Sequence, residues 1–369
     1  EIQDFALPAN PTESTLNSPD FFFNYLTLYE SASGALGLDL TDRKQNEIHI
    51  LREENPSGFS NYQATLAKRQ VDFIRGKDLD DATEEGNATR KRTKGGTPWR
   101  LGDIVCSSPA VVGKPAENYH LIYNDTTYER FLKKYLDRRQ VVYVGANDGM
   151  LHAFNGGFWN SGTRAFDLAR DGRTEFELGQ ELWAYVPYNL LAHLGWLMLP
   201  EYGENLHVAY MDLTPKVFDA RIFVMSDGVT SIDEDRYPGG WGTILVAGMR
   251  MGGAAMEVDI DKTDGDAFKE GIDRTATSAY VILDVTDPES PPNVLAELSL
   301  PGQGFTTCVP AVMPMGSPNA ENLNANTWYL VFGSGPADAA GRAGRTKLMR
   351  EKSDQPGKLF VANLSALFV

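Results

Sequence analysis

From residue 100 onward the apolar positions fall in short runs, and each run ends in turn residues. Val141-Val-Tyr-Val144 is β-branched and aromatic, Gly145 closes it, and Asn147-Asp148-Gly149 is a turn sequence that tolerates positive φ. Met150-Leu-His-Ala-Phe154 reads as the returning strand, and Glu181-Leu-Trp-Ala-Tyr-Val-Pro187 as the next one out. Upstream, Arg100 to Gly113 contains Ser108-Pro-Ala-Val-Val112, a first strand opened by Pro109. Four short antiparallel strands joined by tight turns predict one blade of a β-propeller.

The same wording recurs, which extends the blade to an architecture. Ser108 to Val112 is echoed by Thr214-Pro-Lys-Val-Phe218 and by Val309-Pro-Ala-Val-Met313, whose proline is Pro310. Behind each comes a strand ending in glycine: Val141 to Gly145, Thr243-Ile-Leu-Val-Ala-Gly248, and Trp328-Tyr-Leu-Val-Phe-Gly333. Returning strands follow at Met150 to Phe154, Ser278 to Asp284 and Lys358 to Asn363. The predicted fold class is all-β, a modified β-propeller with helical insertions, its blades at about 100–200, 206–300 and 301–369. Three units do not close a ring, for which about four to eight blades are needed, so the ring is incomplete in this chain.

Residues 1–99 read as an N-terminal lead-in region. Phe21 to Tyr29 and Ile48 to Leu51 are candidate strands, one of them suited to completing a last blade. Tyr62 to Arg75 has apolar residues at helical spacing and stops at Gly76, a natural C-cap. Two helical insertions are predicted inside the propeller. Thr126-Thr-Tyr-Glu129 matches a capping box ahead of Phe131, Leu132 and Tyr135 on one face, with Lys133, Lys134 and Arg138 on the other. The second follows Pro187 over Tyr188 to Leu197, and both read as packed decorations.

These residues resemble the C-terminal propeller region of the PilY/PilC family of type IV pilus biogenesis and pilus-tip adhesion proteins. The likeness runs from Val71-Asp-Phe-Ile-Arg-Gly76 through Arg100–Gly113, Val141–Phe154 and Trp183–Pro187 to Ile282-Leu-Asp-Val-Thr-Asp-Pro288. It implies a non-catalytic, extracellular protein at the pilus tip or outer cell surface, promoting assembly with minor pilins or a tip complex and acting as an adhesin. The repeat wording also overlaps with quinoprotein propellers, so a quinone-dependent oxidoreductase is the main alternative, and a generic secreted protein- or glycan-binding propeller is a third reading.

Composition narrows the choice. A net charge of −16 repels nucleic-acid phosphates, and no apolar run of transmembrane length is present. The basic cluster Arg90-Lys-Arg-Thr-Lys94, behind the acidic run Asp80 to Glu85, reads as a solvated loop. The chain opens on Glu1-Ile-Gln-Asp, as a processed chain or one begun inside a longer protein does, so secretion is implied by the resemblance alone. His49, His120, His152, His193 and His207 have no metal spacing, and His152 reads as a satisfied blade residue. No nucleophile elbow, P-loop or paired-carboxylate pattern is present. Cys106 and Cys308 hold closely equivalent places before Pro109 and Pro310. An even count in a secreted chain suggests a disulfide, yet innermost strands two blades apart face each other across the channel, beyond the roughly 7 Å a bridge allows, which favours two buried free thiols.

The strongest candidate for chemistry is Asp259 to Glu270. Calcium takes many oxygen ligands, and Asp259, Asp261, Thr263 and Glu270 occupy positions one, three, five and twelve of an EF-hand-like loop. Asp264 stands at the sixth position and the glycine has slipped to Gly265, so the alternative is a plain acidic hairpin insert between the second and third strands of the second blade. Some members of the family it resembles carry a calcium loop that governs pilus retraction, but the Asp-x-Asp-x-Asn/Asp-Gly wording of that loop is not found elsewhere in this chain. Titration calorimetry decides between the two. Equal calcium traces are expected for the wild type and the Asp259→Ala, Asp261→Ala double variant; a calcium heat lost in the variant establishes the site.

Overall fold

A computed structural model describes residues 70–77, 90–198, 202, 207–258, 274–316, 327–337 and 353–368. The first blade is built from β3 (Ala110–Val112), β4 (Gln140–Gly145), β5 (Leu151–Asn160) and β7 (Glu181–Tyr185), with β6 (Ala165–Asp167) extending β5 as a hairpin. A separate two-stranded ribbon, β1 (Thr93–Lys94) with β2 (Thr97–Pro98), precedes it. The second blade has the order β13-β12-β9-β8, from β8 (Lys216–Arg221), β9 (Trp241–Gly248), β12 (Tyr280–Asp284) and β13 (Asn293–Leu298). The third is β14 (Ala311–Met315), β15 (Thr327–Gly333) and β16 (Leu359–Asn363). All pairings are antiparallel, so the chain folds as an all-β propeller with an incomplete ring.

Pro109, Pro215 and Pro310 each stand one residue ahead of the first strand of a blade. That position suits proline, whose missing N–H costs nothing before the ladder begins. Successive strand residues then point to opposite faces. On β9, Leu245 and Ala247 join Val141, Tyr143, Leu151 and Ala153 of the first blade, while Ile244 and Val246 join Trp328, Leu330 and Phe332 of the third. On β12, Val281 and Leu283 face the first blade, Tyr280 and Ile282 the third. All eight residues of β9 are therefore buried, whereas β15 alternates because its second face is open.

The insertions close the ends of these stacks. Helix α2 (Thr126–Lys134) follows the short α1 (Tyr119–Ile122) and lays Tyr128 and Phe131 onto the second blade, where Trp241 Nε1 donates to Thr127 Oγ1 at 2.9 Å. Its N-cap is Asp125 rather than a residue of the predicted capping box: the carboxylate accepts from the N–H groups of Thr127 and Tyr128. Arg138, expected on the exposed face, is buried instead, because the helix stops at Lys134 and the chain turns under it. Its guanidinium donates to Gly113 O, to Thr243 Oγ1 at 2.9 Å and to Thr286 O at 3.0 Å. The segment Tyr188–Met198 is a 3₁₀ helix, with Leu190, Leu194 and Leu197 in the core beside the first blade.

Residues 70–74 are helical and end at Gly76 with φ 90°, as the C-cap reading requires. The basic cluster is not solvated throughout: Arg92 lies 3.7 Å from the Phe73 ring centroid and Arg90 4.6 Å from that of Tyr202. Both cysteines are free, and they are less buried than the sequence suggested, Cys106 being exposed and Cys308 intermediate. The strand candidates Phe21–Tyr29 and Ile48–Leu51, the start of the Tyr62 helix and the Asp80–Glu85 run lie outside the described residues.

The β4–β5 connection runs from Ala146 to Met150 and is closed by Ala146 N–H to Met150 O at 3.0 Å, with Asn147, Asp148 and Gly149 at its tip as the sequence suggested. Gly149 supplies its positive φ of 93°, and a Cβ there would stand 2.4 Å from Leu194 Cδ2. Gly149→Val is expected to destabilise the fold by roughly 1–3 kcal/mol through backbone strain and overlap with Leu194. Thermal denaturation checks this, and an unchanged melting temperature contradicts it.

Candidate functional site

The glycines that end β4 and β9 lie at the same ends of their blades, and the loops that follow are crossed by extended lead-in segments. Residues 102–108 precede the first blade and residues 209–214 the second. Asn147 sits where they meet: its N–H donates to Asp103 O at 3.0 Å, its Nδ2 to Asp103 Oδ2 at 2.9 Å, and its Oδ1 accepts from Tyr210 N–H at 2.9 Å. Met211 N–H reaches Ala146 O at 3.3 Å, and a Cβ on Gly145 would lie 2.2 Å from Met211 O. Gly145 is thus required by the close passage of a neighbouring backbone.

Asp148 anchors the other half of the loop. Its carboxylate accepts from Gly102 N–H at 2.7 Å and from Met150 N–H at 3.1 Å, and both oxygens lie 3.1 Å from His152 Nε2. His152 Nδ1 stands 2.5 Å from Glu181 Oε1 on β7. Burial alone would lower the imidazole pKa, but the hydrogen bonds and charges of Asp148 and Glu181 outweigh it and raise it to about 9. The ring is an imidazolium at neutral pH, tying loop and strands together as a buried cation between two anions. His152 is the satisfied blade residue its position in the strand suggested. Asp212, also buried, accepts from Cys106 N–H at 2.8 Å and from Arg250 Nη1 at 3.2 Å.

Of the residues singled out in the sequence, Gly145, Asn147, Asp148 and Gly149 come together here, whereas Pro109 and Pro310 stand ahead of β3 and β14 and take no part in it. Asp103, Asp212 and Arg250 were not anticipated, since they lie in irregular segments with no periodicity to mark them. Asp259, Asp261, Thr263 and Glu270 lie outside the described residues, between β10 (Met256–Val258) and β11 (Arg274–Ala276), a hairpin inserted between β9 and β12. Among the described residues no group of three or more His, Cys, Asp or Glu side chains is placed to hold a metal. At the opposite strand ends a cavity of about 400 Å³ is lined by Lys134, Arg173, Asp233, Asp235, Arg236 and Asp287, among others. Its charges largely compensate each other, as in Lys134–Asp235 at 3.4 Å, so it favours neither sign of ligand.

The buried imidazolium makes stability depend on pH in one direction. Its folded pKa lies above the ordinary value of 6.5, so the contribution is complete below about pH 6.5 and is lost as pH rises through about 9. Melting temperatures at pH 6.5 and 9.5 are expected to differ by the equivalent of about 1–3 kcal/mol from this group. His152→Gln is expected to flatten that difference; a slope identical to the wild type's contradicts the assignment.

Residues 101–169 match the family model described as the PilY1 beta-propeller domain. The chain is 26% identical over 286 residues to the type IV pilus biogenesis factor PilY1 homolog of Xylella fastidiosa strain Temecula1, covering 76% of this chain and 17% of that protein. It is 30% identical over 209 residues to the type IV pilus biogenesis factor PilY1 of Pseudomonas aeruginosa strain UCBPP-PA14, covering 55% of this chain and 14% of the relative. The chain therefore spans less than a fifth of the length of these relatives. The crystal structure of the Pseudomonas aeruginosa PilY1 C-terminal domain aligns with a TM-score of 0.37 and 23% identity, over 69% of this chain and 35% of that one. The chain is thus similar in sequence to PilY1 proteins over most of its length, and within residues 101–169 to their β-propeller domain.

Proposed function

We propose that this chain serves type IV pilus biogenesis as a non-catalytic propeller scaffold, exposed at the pilus tip or outer cell surface, where it promotes assembly with minor pilins and contributes to adhesion. The observation that carries the reading is the sequence relationship to proteins named type IV pilus biogenesis factors, which covers 76% of this chain in one of them and 55% in another. The buried polar groups support the scaffold role. His152 is enclosed by Asp148 and Glu181, and Arg139, with no exposed side-chain surface, is held by Glu289 at 2.9 Å and Asn155 at 2.8 Å. Groups committed in this way hold blades in register. No helix of the described residues is long and apolar enough to cross a membrane.

Deletion and complementation in the encoding organism test the reading. Restoring the gene is expected to restore surface pili and twitching motility. The Gly145→Val allele, whose side chain collides with the backbone at Met211, is expected to restore neither. Normal piliation in the deletion strain overturns the proposal. For the non-catalytic part, purified protein given pyrroloquinoline quinone and calcium is expected to show no alcohol or sugar dehydrogenase turnover; turnover transfers the assignment to the quinoprotein alternative.

A further inference from the structure

A cavity that favours neither sign of ligand can hold one that carries both. The recess of about 400 Å³ lies where the first and second blades meet, between α2, the turn 233–236 and the turn 287–289. Two of its guanidiniums have unused donors. Arg138 is 6% exposed, and its hydrogen bonds run from Nε and Nη1 to neutral oxygens, which leaves Nη2 for the cavity it lines. Burial pulls its pKa below the ordinary arginine range, so a nearby anion would stabilise it. Arg236 reaches the buried Asp284 through Nη2 at 3.1 Å, while its Nε is buried with no hydrogen-bond partner among the described residues. Tyr135 joins the two: its O–H donates to Arg236 O at 2.7 Å, and the Arg138 guanidinium carbon stands 5.6 Å from its ring centroid.

The carboxylates follow the opposite order in depth. Glu289 is taken by Arg139, through Nε at 2.9 Å and Nη2 at 3.1 Å, and Asp287 accepts from Glu289 N–H at 3.1 Å and Ser290 O–H at 3.0 Å. Asp233 and Asp235 are the exposed pair. Asp233 Oδ1 accepts from the N–H groups of Asp235 at 2.9 Å and Arg236 at 3.1 Å, which leaves Oδ2 outward. Asp235 has only the exposed Lys134, at 3.4 Å, a solvated pair of small strength. Unused donors therefore line the floor and unused acceptors the mouth. An isolated anion is repelled at the mouth, and an isolated cation at the floor.

We propose that this recess binds a small zwitterion of the amino-acid type, its carboxylate held by Arg138 and Arg236 at the floor and its ammonium by Asp233 and Asp235 at the mouth. Because the two sets of groups lie at different depths, the ligand's charges are separated by a few carbons rather than carried on one. The site lies at the strand ends away from Asn147 and stands independently of the pilus reading.

The probe is γ-aminobutyrate, titrated into the 369-residue chain by calorimetry for affinity and followed by NMR of isotope-labelled arginine side chains for location. A dissociation constant on the order of 1 mM is expected, with butyrate and butylammonium, which carry one charge each, weaker by about fivefold or more. The Arg236 Nε–H resonance, identified by its loss in Arg236→Lys, is expected to move downfield as the proton gains an acceptor, while that of Arg139, already held by Glu289, stays in place. The Asp233→Asn, Asp235→Asn double variant is expected to bind about fivefold or more weakly with its melting temperature unchanged, since asparagine keeps the acceptor for the two N–H groups and the Asp235 side chain is exposed. Four results overturn the proposal: no heat with γ-aminobutyrate at about 20 mM, an unmoved Arg236 signal, equal affinity in the double variant, or equal affinity for butyrate or butylammonium, which assigns the recess to a single charge.

Discussion

Burial of both faces of the second blade is the constraint on which the rest of the structure depends. A sheet of five- to eight-residue strands rich in Val, Ile, Leu and aromatic residues has two apolar surfaces, and neither is stable in water. In β9 and β12 adjacent residues serve different neighbours, Leu245 and Val281 the first blade, Ile244 and Ile282 the third. A register slip of one residue would exchange the two sets and present each neighbour with the wrong shapes. The stacking therefore sets the order of strands within a blade as well as the contact between blades.

Polar groups enter these interfaces only where they are paired. Asp219 accepts from Tyr128 O–H at 2.7 Å and from Thr243 O–H at 2.7 Å, while Arg138 reaches the same Thr243 from the first blade. Asp284, fully buried, takes Tyr237 O–H at 2.9 Å, Arg236 at 3.1 Å and Thr286 N–H at 3.0 Å. Its neighbourhood raises the Tyr237 phenol pKa, through burial first and the adjacent carboxylate second. Buried ion pairs of this kind add little net stability over apolar packing, yet breaking one partner leaves an uncompensated charge. Their physical effect is to penalise misaligned blades.

Strand-level features were legible because they are local. The three prolines before β3, β8 and β14, the glycines closing β4, β9 and β15, and the two-residue periodicity in between all act over fewer than ten residues. What escaped reading depends on distant partners. Asn147 and Asp148 have turn chemistry in any context, but their burial comes from Gly102, Asp103, Tyr202 and Tyr210, brought in from far along the chain. Arg92 looks like a solvent-facing cation until Phe73 is placed beneath it. The cap of α2 was misplaced by one residue because Asp125 and Thr126 both carry cap-competent side chains, and only backbone geometry chooses between them. The calcium candidate stayed ambiguous for a different reason: a slipped glycine changes the turn that decides whether the carboxylates converge.

The two ends of the blades are locked by different means, and that difference bears on where the surface can vary. At one end the lead-in backbones press against Gly145 and Gly252, whose added Cβ atoms would each lie 2.2 Å from a carbonyl oxygen, so substitution there is blocked sterically. At the other end α2 and Arg138 seal the gap between blades with side-chain contacts and hydrogen bonds. Segments outside both seals carry exposed apolar side chains, Trp159 and Phe166 on the β5–β6 hairpin and Met225, Val229 and Ile232 on the loop after β8. Changes at these exposed positions leave the stacking untouched, because none of the five side chains belongs to the two cores. A frame fixed by buried glycines and paired charges can therefore carry divergent surfaces, which is the physical condition for a propeller to acquire new binding partners without refolding.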